Sequence, residues 1–258
     1  MLKEQIPAMK PILEEVREIF REIVAENDFG QEPVEVVVGT LTAQQAIGSP
    51  KRQDYPLLEG REVMIEARFK DNYGQAFTDR PGEFKGSLNE VLDLSLDSTG
   101  NRALFDATLN AVMVYLGQAG GARHCHDEEP EKCAAEMAQY ILAKYGRVKV
   151  GMIGYQPAIL ENLVKLFGAD NVRCTDFKPK NAGTRKHGAE IWDGHTDTEK
   201  LISWSDIVLA TSSTIVNNTY DDIKALADAG GKRLIVFGIT GAGIAAMLGL
   251  ERLCFQPH

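Results

Sequence analysis

The chain has 258 residues, a formal net charge of -9, and 44% hydrophobic against 25% charged residues. That balance fits a soluble globular protein whose core needs neither disulfides nor a structural metal. It argues against affinity for nucleic acid through phosphate neutralisation.

The N-terminus, MLKEQIPAMKPILEEVREIF, is charged every few residues and lacks the apolar stretch of a secretory signal. Apolar residues recurring from Ile12 to Val24 at three- and four-residue spacing predict an amphipathic helix over 9–26. VEVVVGTL (34–41) and GREVMIEARF (60–69) read as strands, with Asn72-Tyr73-Gly74 as a turn and GQAFTD completing a meander. Ser87 and Glu90 form a capping box. Asn101 is placed to cap the next helix, RALFDATLNAVMVYLG, whose apolar circumference marks it as buried. Helix, three strands and two helices make an α+β domain over 1–118.

QAGGARHCHDEEP (118–130) is a change of texture, and the second domain runs over 119–258. Helix 130–145 precedes strand RVKVGMIGY, helix 157–167, strand NVRCTDF, a long polar loop and helix TDTEKLISW. Strand DIVLATSS, helix TYDDIKALADAG, strand RLIVFGIT and a helix from Gly243 follow. Near-continuous apolar strands alternating with helices mean a parallel sheet covered on both faces, so the fold class is α/β.

Such sheets bind ligands beyond the carboxyl ends of their strands. Gly151 and Gly154 permit close backbone approach there, although their GxxG spacing is not a dinucleotide fingerprint. Asp176 ends a strand where an acid can hold a ribose or cap a turn. Lys178, Lys180, Arg185 and Lys186 follow in a loop that can attract an anion or simply stay solvated. Thr211, Ser212, Ser213, Thr214, Asn217, Asn218 and Thr219 crowd another strand's end, more polar groups than capping uses. Thr240 and Gly241 close the last strand similarly.

His124, Cys125 and His126 admit a metal reading, since imidazole and thiolate suit zinc and softer ions. Against it, Asp127 is a good N-cap before Pro130, and Cys133 falls on an apolar stripe with Met137 and Ile141. His187, His195 and His258 have no partner at ligand spacing, and no nucleophile motif is present.

TSSTIVNNT (211–219), GMIGYQP (151–157), FGITGAG (237–243) and ALFDATLNAV, with its Asn110-Ala111 pair, resemble the DUF364 family associated with heavy-metal chelation. The resemblance implies an enolase-N-terminal-like domain packed on a Rossmann-like one, with the site between them. It also implies handling of a pterin-, flavin- or siderophore-like chelator, by condensation or hydrolysis. It carries over Asn110, Thr211, Ser213, Asn217 and Thr219 as site residues. The GITGAGIA loop departs from the family's Gly-Pro-Ser type.

Three readings stand open: an enzyme or handling protein for a metal chelator, a nucleotide- or S-adenosylmethionine-binding protein, and a non-catalytic metal or metallophore binder. The cofactor is left between a heavy-metal ion and an S-adenosylmethionine-like ligand. The expected partner is a small molecule or metal chelate, not nucleic acid or membrane. Four cysteines in no framework point to reduced thiols and a cytoplasmic location, and a homodimer is the default assembly.

Overall fold

The computed structural model describes residues 11–37, 41–59 and 63–258. The expected helix residues 9–10 and strand residues 38–40 and 60–62 lie outside the described residues. Helix α1 (Ile12–Glu26) turns Ile12, Leu13, Val16, Phe20 and Val24 inward, as its periodicity requires. Strands β1 (Pro33–Val37), β2 (Val63–Phe69), β3 (Asn72–Thr78) and β4 (Phe84–Ser87) form an antiparallel sheet ordered β3-β2-β1-β4. A short helix, α2 (Ala43–Ile47), lies between β1 and β2 and carries a Thr42–Gln45 capping box.

Two local expectations are corrected. The β2–β3 turn is Lys70-Asp71, with φ of 45° and 62°, the conformation that two-residue hairpins favour. Asn72, Tyr73 and Gly74 therefore belong to β3, with Phe69 opposite Asn72. Ser98, not Asn101, caps the long helix α4 (Thr99–Tyr115), its hydroxyl accepting the Asn101 amide at 3.1 Å. The Ser87–Glu90 box opens α3 (Leu88–Leu92) as read from the sequence.

Every side chain from Arg102 to Met113 is buried. Helix α4 can be apolar all round because it lies across β2 and β3 and also packs on α8 (Ser213–Val216) and α10 (Ala242–Leu248).

The second sheet comprises β5 (Val150–Ile153), β6 (Val172–Asp176), β7 (Arg185–Lys186), β8 (Ala189–Asp193), β9 (Ile207–Thr211), β10 (Arg233–Phe237) and β11 (Arg252–Leu253). Its order is β11-β10-β9-β5-β6-β8-β7, and only β7 runs antiparallel to its neighbour. Helices α5 (Glu129–Tyr145), α6 (Pro157–Phe167), α7 (Thr198–Trp204) and α9 (Tyr220–Ala229) complete the α/β fold. The polar loop after β6 holds β7 and β8: in AEIWD, buried Ala189 and Ile191 alternate with more exposed Glu190 and Trp192. Among the described residues no helix is long and apolar enough to cross a membrane.

The chain runs from β5 outward to β6 and β8, then returns to place β9 on the other side of β5. The loops after β5 and β9 thus diverge, and a crevice opens between them beyond the strands' carboxyl ends.

Candidate functional site

A cavity of about 720 Å³ occupies that crevice, within the range of small-molecule sites. Its floor is built from the ends of four parallel strands. Ile153, Gly154 and Tyr155 lie at the end of β5; Thr175, Asp176 and Phe177 at the end of β6; Thr211, Ser212 and Ser213 at the end of β9; Phe237, Gly238 and Ile239 at the end of β10. Asp54, Tyr55, Leu57, Phe77 and Asp79 line the same cavity from the N-terminal half.

Gly154 makes the crevice possible. Its φ is +91°, and a Cβ there would lie 2.6 Å from Thr211 Cγ2, so any side chain would wedge the two loops apart. Gly151 faces elsewhere: its missing Cβ leaves room for Ser205 Oγ and Leu201 of α7. It serves sheet–helix packing and does not line the cavity.

Asp176 reaches the cavity, but its carboxylate braces the surrounding loops. Oδ2 accepts the Tyr155 amide at 3.0 Å, while Oδ1 accepts the Lys178 amide at 2.9 Å and Asn181 Nδ2 at 3.0 Å. Lys178, Lys180 and Lys186 supply positive charge on this side. Lys180 is ion-paired with Glu59, and Arg185, paired with Glu190 at 2.6 Å, is not part of the lining. Phe177, part of the lining, is 42% exposed, and its ring lies 4.6 Å from that of His195, which is not part of it.

Of the residues predicted after β9, Thr211, Ser212, Ser213, Thr214 and Asn217 face the cavity. Asn218 and Thr219 do not line it. Asn218, at φ 60°, makes the turn after α8, and Thr219 Oγ1 donates back to the Thr214 carbonyl at 3.3 Å.

Asn110, Thr240 and Gly241 also have positions different from those expected. Asn110 is fully buried, with Nδ2 donating to the Gln75 carbonyl at 3.0 Å and the Thr240 carbonyl at 2.7 Å. Its Oδ1 accepts the Gly243 amide at 2.6 Å. With its donors and acceptor engaged, it ties α4 to β3 and to the loop before α10. Thr240 Oγ1 accepts the Phe77 amide at 3.2 Å, and a Cβ on Gly241 would come 3.1 Å from Ser212 Cβ.

The sequence-predicted metal trio is divided. Cys125 lines the large cavity and His126 a separate hollow with Glu129 and His258, while His124 lies between the two and borders both. His124 Nδ1 lies 2.7 Å from the Cys125 carbonyl, and burial pulls its imidazole down to about 4, so it is neutral at pH 7. Burial pushes the Cys125 thiol up to about 12. Asp127, expected to cap α5, instead accepts the Ser49 amide at 2.7 Å. The cap position falls to Glu128, without a side-chain bond.

Cys133 and Cys254 meet in the wall of the same cavity. Cys133 Sγ accepts the Phe255 amide at 3.3 Å, which sets Cys254, the residue before it, beside Cys133. The neighbouring Cys254 draws the Cys133 thiol below its ordinary value against the effect of burial, while Cys254 is raised. Sequence spacing carries no sign of this pair, because the whole parallel sheet intervenes. Among the described residues, no three His, Cys, Asp or Glu side chains converge as a metal cage.

Comparison with known proteins agrees with the motif reading. Residues 137–250 match a family model described as "DUF364: Putative heavy-metal chelation". The resemblance is to DUF364. A DUF364 protein of unknown function from Pyrococcus horikoshii superposes with a TM-score of 0.52 at 16% identity, covering 90% of this chain and 80% of its own. A second, from Desulfitobacterium hafniense DCB-2, gives 0.53 at 16% identity, covering 92% and 85%. At that identity the likeness is one of fold, and the mixed α/β architecture is shared with these DUF364 structures. No curated protein matches the sequence.

Proposed function

We propose that the protein binds and handles a small metal-chelating molecule of the pterin, flavin or siderophore type in the cavity beyond β5 and β9. The observation that carries this reading is the composition of that one cavity. Hydrogen-bonding strand ends (Thr211, Ser213, Asn217), aromatic rings (Tyr55, Phe77, Tyr155, Phe177) and thiols (Cys125, Cys133, Cys254) all open into it. A flat heterocycle or catecholate suits the rings, its heteroatoms suit the hydroxyl and amide groups, and a soft metal it carries suits sulfur. The DUF364 description points the same way.

The nucleotide or S-adenosylmethionine alternative is disfavoured by Asp176, whose oxygens already accept three bonds from its own surroundings. A ribose diol would have to displace them.

Calorimetric titration with a pterin, riboflavin and 2,3-dihydroxybenzoate, each with and without bound metal, tests the proposal. One probe should bind at one molecule per chain, and Asn217→Ala and Ser213→Ala should each weaken it about tenfold, the scale of one lost hydrogen bond. No heat from any probe at millimolar concentration would sink the reading.

A further inference from the structure

We propose that Cys133 and Cys254 form a two-coordinate site for a soft d10 metal ion, with copper(I) as the type case. This deepens the reading of the cavity as a chelate site and rests on it. The two sulfurs come from distant parts of the chain and are held together by both backbones. Cys133 stands on the buried stripe of α5 with Met137 and Ile141. Cys254 follows β11, in a segment fastened across α5 and the residues before it. There Gln256 donates to Glu136 at 3.0 Å, while His258 and Arg123 exchange backbone bonds at 2.9 and 3.1 Å.

The chemistry of the donors selects the ion. Thiolates favour soft ions, whereas magnesium and calcium require several oxygens. Zinc takes four ligands in its structural sites and three protein ligands in its catalytic ones. The described residues bring no third His, Cys, Asp or Glu into such a cage with these sulfurs. Two thiolates suffice for a linear d10 ion. On binding, two sulfur–metal bonds form, any remaining thiol proton passes to solvent, and no electron is transferred. A copper(I) bis-thiolate carries net negative charge, and the Phe255 amide already points at the Cys133 sulfur to receive it.

The test uses the reduced full chain and copper(I), supplied anaerobically in competition with bicinchoninate. One ion should bind per chain, and X-ray absorption should show two sulfur neighbours. Cys133→Ser and Cys254→Ser should each lose at least 100-fold in affinity, while Cys174→Ser, on β6 and outside the cavity lining, stays within about threefold of the wild type. The absorption spectrum needs no variant and therefore stands even if a substitution impairs folding. Nitrogen or oxygen neighbours in place of the two sulfurs, or undiminished binding by either key variant, overturns the site. So does a reduced protein that ignores copper(I) yet oxidises to a Cys133–Cys254 disulfide in air. Asn217→Ala and Ser213→Ala should keep copper(I) binding. Copper(I) uptake without binding of any organic probe removes the chelator reading alone, whereas probe binding without copper(I) uptake removes this site alone.

Discussion

Asn110 Oδ1 accepts the Gly243 amide at 2.6 Å, and a Cβ on Gly243 would stand only 3.0 Å from that same oxygen. A side-chain amide thus stitches the middle of α4 to the first turn of α10, across a gap that any Cβ on Gly243 would crowd. The bond is wholly buried, so its partners have no water to fall back on.

Asn110→Ala should therefore act on stability. It strands the Gly243 amide and the Thr240 carbonyl, an expected loss of about 3 kcal/mol. For a chain of this size that is a fall in melting temperature of roughly 6–12 °C. Differential scanning calorimetry checks it. A shift under 2 °C together with lost ligand binding would instead make Asn110 a ligand contact.

Asp106, one turn before Asn110, is completely buried with no hydrogen-bond partner for either oxygen. Arg102, one turn earlier, spends its guanidinium on the Val216 and Leu96 carbonyls and Thr99 Oγ1. Burial therefore raises the Asp106 pKa well above its ordinary value. A raised carboxyl contributes its full stability below the unfolded pKa and loses it as pH rises toward the folded one. Across that window this group should cost up to about 1.4 kcal/mol per pH unit. Asp106→Asn should remove the slope and be the more stable protein at pH 8, as urea midpoints between pH 4 and 8 would show. Parallel pH profiles would refute the assignment.

Glu251 shows the opposite sign. Burial pushes its carboxyl up, but Lys144, Arg233, Tyr145 and Tyr140 outweigh this and hold it at about 2. The stabilisation is complete above the ordinary glutamate value and disappears as pH falls from about 4.5 toward 2. Glu251→Gln should cost about 2 kcal/mol at pH 7, the scale of bonds to a charged group, and almost nothing near pH 2. Chemical denaturation at the two pH values separates this from a fold-wide acid effect.

Arg52 ties the cavity wall to two helices, pairing with Glu131 of α5, Glu161 of α6 and, at 3.2 Å, Asp54. Arg52→Met should lower stability by about 2 kcal/mol. A double-mutant cycle with Glu161→Gln should return at least about 1 kcal/mol of coupling, and additive effects would show the pair to be incidental.

The apolar strands β5, β9 and β10 were legible because a sheet covered on both faces needs uninterrupted hydrophobic runs. β8 was not, since AEIWD mixes acidic with apolar residues inside a polar segment, and β7 and β11 are two-residue strands. The hairpin shows another limit: Asn72-Tyr73-Gly74 carries turn-type residues, yet pairing with β2 places the turn at Lys70-Asp71. Thr211, Ser213 and Asn217 could be assigned to the cavity wall because the crevices of parallel sheets open at strand ends. Asn110 could not be judged from sequence, since a polar residue in an apolar helix is equally a ligand contact or an internal tie until its partners are known. Cys133 read as apolar stripe because its partner lies beyond the entire second sheet.

One apolar cluster joins Phe20, Leu109 and Met113 to Tyr220, Val236 and Ile244; another joins Ile47, Tyr55 and Met64 to Met137, Leu160 and Phe237. Neither sheet therefore owns a complete interior. Separating the chain near residue 118 would bare both clusters at once, and the intact molecule should melt in a single calorimetric transition, with van't Hoff and measured enthalpies equal. The cavity between the sheets then inherits the cooperativity of the whole: it cannot be loosened at one wall without drawing on the stability of both.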